Sequence, residues 1–275
     1  MGPTGVRPLH DVPLGDEPLP QSLLLPQPQP QPQPLPLPRL PRPSGLQLAV
    51  RYLPGEAGLQ ASGDWYDAVV VDDHRLFFTV GDVSGRGRDA AGTMSSLRST
   101  LRACAAMRYE PERALSDLAA LLDIRRDGRF ATSLCGSIDT RDGTTTIASA
   151  GHPPLLAVAG GRACFLATEA GIPIGLGRAR YTPLRLRIAP GTTLLGFTDG
   201  LFERRGEPID IGLARLRSAA EEDLPLEELL DHLIAELVGS GSGDDVALLG
   251  MTWQPAGLGA GGQAGALRQR QAPAA

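Results

Sequence analysis

The chain has 275 residues, 42% hydrophobic and 21% charged, enough to bury one substantial core, and its length favours one domain with tails over two full domains. Its formal charge is −5 and all 26 basic side chains are arginine, which excludes the basic footprint of a nucleic-acid binder. No apolar run of about 18 residues and no signal-peptide pattern occurs, so no membrane span and a cytoplasmic location are expected. Cys104, Cys135 and Cys164 are widely spaced without a Cys-x-x-Cys pair and are expected as buried thiols, not as a disulfide framework or zinc site.

In chain order, residues 1–44 are dominated by Pro, Gln, Leu and Gly, with a Pro-Gln alternation from Pro26 to Pro34. Proline at every second position removes backbone donors and favours extended backbone, so a disordered leader is expected there. Residues 45–253 are expected to fold, and the Gly/Ala/Gln-rich residues 254–275 to form a second disordered tail. Within the folded part, Leu46 to Arg51, Ala68 to Val71 and Arg75 to Val80 read as strands. Helical spacing of Ala90, Met94, Leu97, Leu101 and Cys104 predicts a helix from Asp89 to Met107; Ala114, Leu118, Leu121 and Leu122 predict another from Pro111 to Ile124. Six strands follow, Ala131 to Ile138, Thr144 to Ser149, Leu155 to Val158, Ala163 to Leu166, Leu184 to Ile188 and Thr193 to Thr198, separated by turn signals such as Asp142-Gly143 and Gly160-Gly161. Helices from Ile211 to Ala220 and from Pro225 to Val238 come next, and Val246 to Thr252 closes the domain as a strand. Many strands interrupted by two helical pairs predict an α+β layered sandwich, antiparallel sheets with helices on the outer faces.

Four aspartate positions share a context, a turn at a strand end flanked by glycine or another acid. They are Asp64 in Ser62-Gly63-Asp64-Trp65-Tyr66-Asp67, Asp82 in Gly81-Asp82-Val83-Ser84-Gly85, Asp199 in Thr198-Asp199-Gly200, and the Asp244-Asp245 pair. Asp and Gly are also ordinary turn formers, but carboxylates on neighbouring loops suit hard cations such as Mg²⁺ or Mn²⁺.

The ordered set Ser-Gly-Asp-Trp-Tyr-Asp, Gly-Asp-Val-Ser-Gly-Arg-Gly, Ala-Thr-Ser-Leu, Ala-Gly-His-Pro-Pro, Pro-Ile-Gly-Leu-Gly, Phe-Thr-Asp-Gly-Leu-Phe-Glu-Arg-Arg and Asp-Asp-Val-Ala-Leu-Leu resembles the SpoIIE/RsbU-type phosphatases, a bacterial branch of the metal-dependent, type 2C-like (PPM) protein phosphatases. The resemblance runs from about Leu46 to Thr252, and Gln21-Ser22-Leu23-Leu24-Leu25-Pro26 resembles the short segment that precedes this domain. It implies a four-layer αββα sandwich and two Mn²⁺ or Mg²⁺ ions. Asp82 matches the aspartate bridging both ions, the Val83 carbonyl matches a backbone ligand, and Asp64, Asp199 and Asp244 match the carboxylates of the second ion, with Asp245 as the alternative to Asp244. Asp67 closes the first motif and is expected to orient the cluster without ligating a metal. The implied reaction is hydrolysis of phosphoserine or phosphothreonine by metal-activated water. The implied substrate is an anti-sigma-factor antagonist, with an activator protein or a homodimer controlling activity. His152, in Ala150-Gly151-His152-Pro153-Pro154, reads as structuring its turn or as an acid for the leaving group.

Other readings compete. Gly85-Arg86-Gly87-Arg88-Asp89-Ala90 formally matches the Gly-x-Gly-x-x-Ala of dinucleotide-binding folds, but a second helix, not a strand, follows the first. No Gly-x-Ser-x-Gly elbow occurs. Arg86 and Arg88 are either solvated or placed to grip phosphate, and Trp65-Tyr66 reads as core packing. The alternative function is a catalytically weak or inactive regulatory protein that kept the fold; the presence of every expected aspartate favours activity.

Overall fold

In the computed structural model, residues 39–55, 62–121, 129–238 and 244–255 are described. The expectations for the leader, for the far tail beyond residue 255 and for Leu122 to Ile124 lie outside these residues. The elements in chain order are β1 (Leu46–Leu53), β2 (Trp65–Asp72), β3 (Arg75–Val83), α1 (Arg88–Ala106), α2 (Pro111–Leu121), β4 (Ala131–Asp139) and β5 (Thr144–Ala150). After them come β6 (Leu156–Ala159), β7 (Arg162–Phe165), β8 (Ala170–Gly171), β9 (Leu184–Arg187) and β10 (Thr193–Phe197). A 3-10 turn (Asp199–Leu201), α3 (Ile209–Ala219), α4 (Leu226–Leu237) and β11 (Val246–Trp253) complete the described elements.

Strand periodicity sorts the side chains into layers. In β3, Leu76, Phe78 and Val80 face one side while Phe77 and Val83 face the other, and all five are buried. A strand apolar on both faces must lie between two layers. β11 behaves the same way, with Ala247, Leu249 and Met251 in the core between the sheets and Val246 and Leu248 packed beneath α3 and α4. One sheet has the order β1-β11-β10-β6-β7; the other has β2-β3-β4-β5-β8, with β9 also on β5. α1 and α2 cover the second sheet and α3 and α4 cover the first, which is the expected four-layer sandwich.

Several details depart from expectation. The second sheet is mixed, because β8 pairs in parallel with β5 through Ser149↔Ala170 and Ala150↔Gly171. Two residues carry no periodicity, so this strand leaves no sequence signal. β3 continues past Gly81 through Asp82 to Val83, because β4 supplies partners as far as Ala131. The turn placed at Asp82 is therefore strand. Cys104 and Cys135 are buried, but Cys164 is exposed: it points outward from β7, a short strand at the sheet edge. Trp65 and Tyr66 are both core residues on opposite faces of β2. Helix α1 leads into α2 after Arg108, whose φ of 59° turns the chain while Tyr109 N–H donates to the Cys104 carbonyl at 3.0 Å. With an antiparallel strand after α2, the dinucleotide-binding reading falls. No described helix is long and apolar enough to cross a membrane.

Candidate active site

Asp64, Asp82 and Asp199 meet at one end of the sandwich. Asp64 directly precedes β2, and its loop is strapped to the end of β3 by Val83 N–H donating to the Gly63 carbonyl at 3.2 Å. Asp82 is the penultimate residue of β3. Asp199 opens the 3-10 turn after β10, and Thr198 N–H donates to the Ala247 carbonyl at 3.0 Å, setting that turn against β11. Two glycines permit this crowding. A Cβ on Gly63 would lie 2.5 Å from the Val83 carbonyl oxygen, and one on Gly200 would lie 2.0 Å from the Asp245 carbonyl oxygen.

The electrostatics follow from the crowding. Burial, and then the Asp82 charge, hold the Asp64 carboxyl well above its ordinary range; a hydrogen bond from the Thr198 hydroxyl opposes the rise. Burial also raises Asp82, with the charges of Asp244 and Asp245 adding to it and a hydrogen bond to Asp64 working against it. Asp199 is pushed up to about 6 by burial and by the charges of Asp82 and Asp244. Asp64 Oδ2 is buried without a hydrogen-bond partner. Stranding such an oxygen costs about 1–3 kcal/mol unless a ligand meets it.

The acidic pair behaves differently. Asp244 is exposed and accepts from Arg86 Nη2 at 3.0 Å, while Asp245 Oδ1 accepts from Gly55 N–H at 2.8 Å. The charges of both still act on Asp82. Among the described residues, no three acidic, histidine or cysteine side chains stand close enough to enclose a metal ion in this conformation. Yet converging like charges, an orphaned carboxylate oxygen and the Val83 carbonyl are hard oxygen donors of the kind that Mg²⁺ and Mn²⁺ accept. The residues therefore fit a divalent cation, with Asp244 and Asp245 held off the centre by Arg86 and Gly55.

Asp67 does not join the cluster. It is buried on β2, accepts two hydrogen bonds from Arg102 Nη1 of α1 at 2.6 and 2.9 Å, and so fastens the helix to the sheet. His152 is also buried. Its Nε2 lies 3.0 Å from the Phe197 carbonyl, which only accepts, so Nε2 carries the proton and Nδ1 accepts from the Thr132 hydroxyl at 2.9 Å. Burial lowers its pKa to about 4, which keeps the ring neutral and unsuited to protonating a leaving group near neutral pH. Thr132 stands opposite Asp82 in the β3–β4 register, and Phe197 is two residues before Asp199. The ring therefore ties β4, the neighbour of the strand that carries Asp82, to β10, which leads into Asp199. A formal Cys-x5-Arg spacing joins Cys135 to Arg141, but Cys135 is buried inside β4 with its thiol pushed up to about 12, and Arg141 binds Asp139. It is no phosphate loop. Sequence reasoning missed Thr198, whose hydroxyl serves Asp64 and accepts the Ala247 N–H at 2.9 Å. Its place just before Asp199 was the available signal.

Residues 72–254 match the family model of stage II sporulation protein E, SpoIIE. The chain belongs to the SpoIIE family. The match takes in Asp82, His152, Asp199 and the acidic pair and begins after Asp64. This SpoIIE-family chain is 26% identical over 230 residues to Protein IcfG of Synechocystis sp. (strain ATCC 27184 / PCC 6803 / Kazusa), covering 70% of this chain and 36% of IcfG. The crystal structure of the RsbU and RsbW domains of Rv1364c from Mycobacterium tuberculosis is 33% identical, with a TM-score of 0.68 over 77% of this chain and 60% of that one. The PP2C phosphatase domain of SpoIIE from Bacillus subtilis, 18% identical, has a TM-score of 0.66 over 76% and 64%. RsbX in complex with magnesium, also 18% identical, has a TM-score of 0.63 over 78% and 99%. The fold is thus that of the PP2C phosphatases, and the chain spans about a third of IcfG and three fifths of the Rv1364c structure.

Proposed function

We propose that this chain is a metal-dependent protein serine/threonine phosphatase of bacterial signalling that hydrolyses a phosphorylated anti-sigma-factor antagonist. The convergence of Asp64, Asp82 and Asp199, with Asp64 Oδ2 stranded, carries the reading. In it, Asp82, the Val83 carbonyl, Asp64, Asp199 and Asp244 or Asp245 would hold two Mn²⁺ or Mg²⁺ ions. Bound divalent cations would lower the pKa of water and neutralise charge on the phosphoryl oxygens. The glycine contacts hold the acidic loops together, and Thr198 orients Asp64. Release of Arg86 from Asp244 frees a carboxylate for the centre and a guanidinium for phosphate. Magnesium in RsbX supports the choice of ion, and the likeness to the RsbU and RsbW domains of Rv1364c supports the pathway. A cytoplasmic location, control by an activator protein or homodimer, and domain limits of 45–253 belong to the same reading.

The test is hydrolysis of p-nitrophenyl phosphate and of a phosphoserine protein by the full chain with Mn²⁺, Mg²⁺ or EDTA. Metal-dependent turnover is expected, falling about 100-fold or more in Asp82→Asn while the circular dichroism spectrum is unchanged. A folded Asp82→Asn protein with the wild-type rate would sink the assignment.

A further inference from the structure

Three chain segments emerge beside Asp82 at one end of the six-stranded sheet. β3 ends at Val83, opposite Ala131, where β4 begins. On its other side Ala131 N–H donates to the Ile174 carbonyl at 2.9 Å, and Ile174 N–H donates back at 2.8 Å. Antiparallel pairing on both sides means that the chain after Val83, before Ala131 and after Ile174 lies at this one edge. Ser84 joins the first two segments: its N–H donates to the Phe130 carbonyl and its Oγ accepts from Phe130 N–H, both at 2.9 Å. The Tyr181 hydroxyl donates to the Ile172 carbonyl at 2.9 Å and pinches the third into a closed loop.

The edge is apolar and cationic. Phe130, Ile172 and Leu176 are 39%, 46% and 56% exposed. Ile172 Cδ1 lies 3.6 Å from where a Gly177 Cβ would stand, so Ile172 and the Leu176 turn form one surface. Arg88, Arg178 and Arg180 are exposed on the same segments, with no ion-pair partner among the described residues. Arg129, next to Phe130, reaches Asp89 at 3.1 Å. A chain of net charge −5 that gathers arginines here presents a surface complementary to negative charge. Apolar side chains amid arginines also have the makeup of a protein interface.

We propose, resting on the phosphatase reading above, that this edge docks the acidic face of the phosphoprotein substrate and delivers its phosphate to Asp82. A second copy of the chain fits less well, because a two-fold contact through this surface would set arginine against arginine.

The experiment compares the full-length wild type with Arg178→Glu/Arg180→Glu and with Leu176→Ser on phosphorylated casein, an arginine-flanked phosphoserine peptide and p-nitrophenyl phosphate. The double variant is expected to raise KM for casein about tenfold with little change in kcat, and to leave p-nitrophenyl phosphate hydrolysis unchanged. Added salt should narrow the difference, and the basic peptide should bind the variant no worse than the wild type. Leu176→Ser should raise casein KM by a smaller factor. Unchanged casein kinetics would overturn the proposal, as would equal loss on casein and p-nitrophenyl phosphate, or a dimer in the wild type that the variants dissociate. A wild type inactive on p-nitrophenyl phosphate with either ion would overturn the phosphatase reading instead. Docking is then judged by anisotropy of labelled phosphocasein: weaker binding by the double variant supports it, and equal binding refutes it.

Discussion

The two helical layers are built from different materials. Beneath α3 and α4 the core is leucine and phenylalanine, with Leu226, Leu229, Leu230, Leu233 and Leu237 of α4 packed on Leu195, Phe197 and Leu248. Beneath α1 and α2 alanine is prominent, including Ala90, Ala105, Ala114, Ala131, Ala148 and Ala150, and the layer adds the Asp67–Arg102 ion pair. Burial stabilises by about 25 cal/mol per Å² of apolar surface, so the layer richer in alanine, although it also buries Trp65, Phe77 and four leucines, is held by less apolar area per residue. Small residues let α1 and α2 lie close to the sheet near the acidic centre, and a polar link replaces part of the missing apolar area.

The largest expected effect is on the leucine side. Leu230→Ala, at a position of zero exposure, should cost about 3 kcal/mol in denaturant unfolding. His152→Ala, between the layers, should cost about 2 kcal/mol by removing both hydrogen bonds of a buried ring. Its pH dependence sharpens the point. The folded pKa, about 4, lies below the ordinary 6.5, so the stability from the neutral ring is complete above pH 6.5 and lost as pH falls towards 4. That amounts to about 3 kcal/mol, and the variant should lack this acid limb. Arg102→Ala should cost about 1 kcal/mol: Asp67 is buried but the guanidinium is half-exposed and screened. A loss equal to that of Leu230→Ala would make the ion pair, not alanine packing, the main fastening of α1. Hydrogen exchange gives the gentlest test, with amides of α1 and α2 expected to exchange before those of α4; the reverse order would break the contrast.

Much of this was legible in the residues. Among the described residues, strand period and helix spacing located ten of the eleven strands and all four helices, because each buries a continuous apolar face. The missed strand, Ala170–Gly171, is held by neighbours and has no pattern of its own. The three converging aspartates were readable from their glycines, since the close backbone approaches at Gly63 and Gly200 demand that residue. The state of Asp244 was not readable, because Arg86 lies 158 positions away and only the fold makes them neighbours. Asp67 looked like part of the acidic loop because it is close to Asp64 in sequence. Strand alternation turned its side chain towards α1. His152 stood in a recognisable motif, but its neutrality depends on burial and on Phe197, 45 positions away.

The first and last strands of the sandwich are neighbours, with Leu46 facing Trp253 in register. Both polypeptide connections of the domain therefore pass through one corner. Such a unit can be spliced into a loop of another protein as a cassette without separating that loop's ends. It is equally suited to circular permutation: a short glycine linker from residue 253 to residue 46, with new termini opened at Gly160-Gly161, should leave every strand pairing intact.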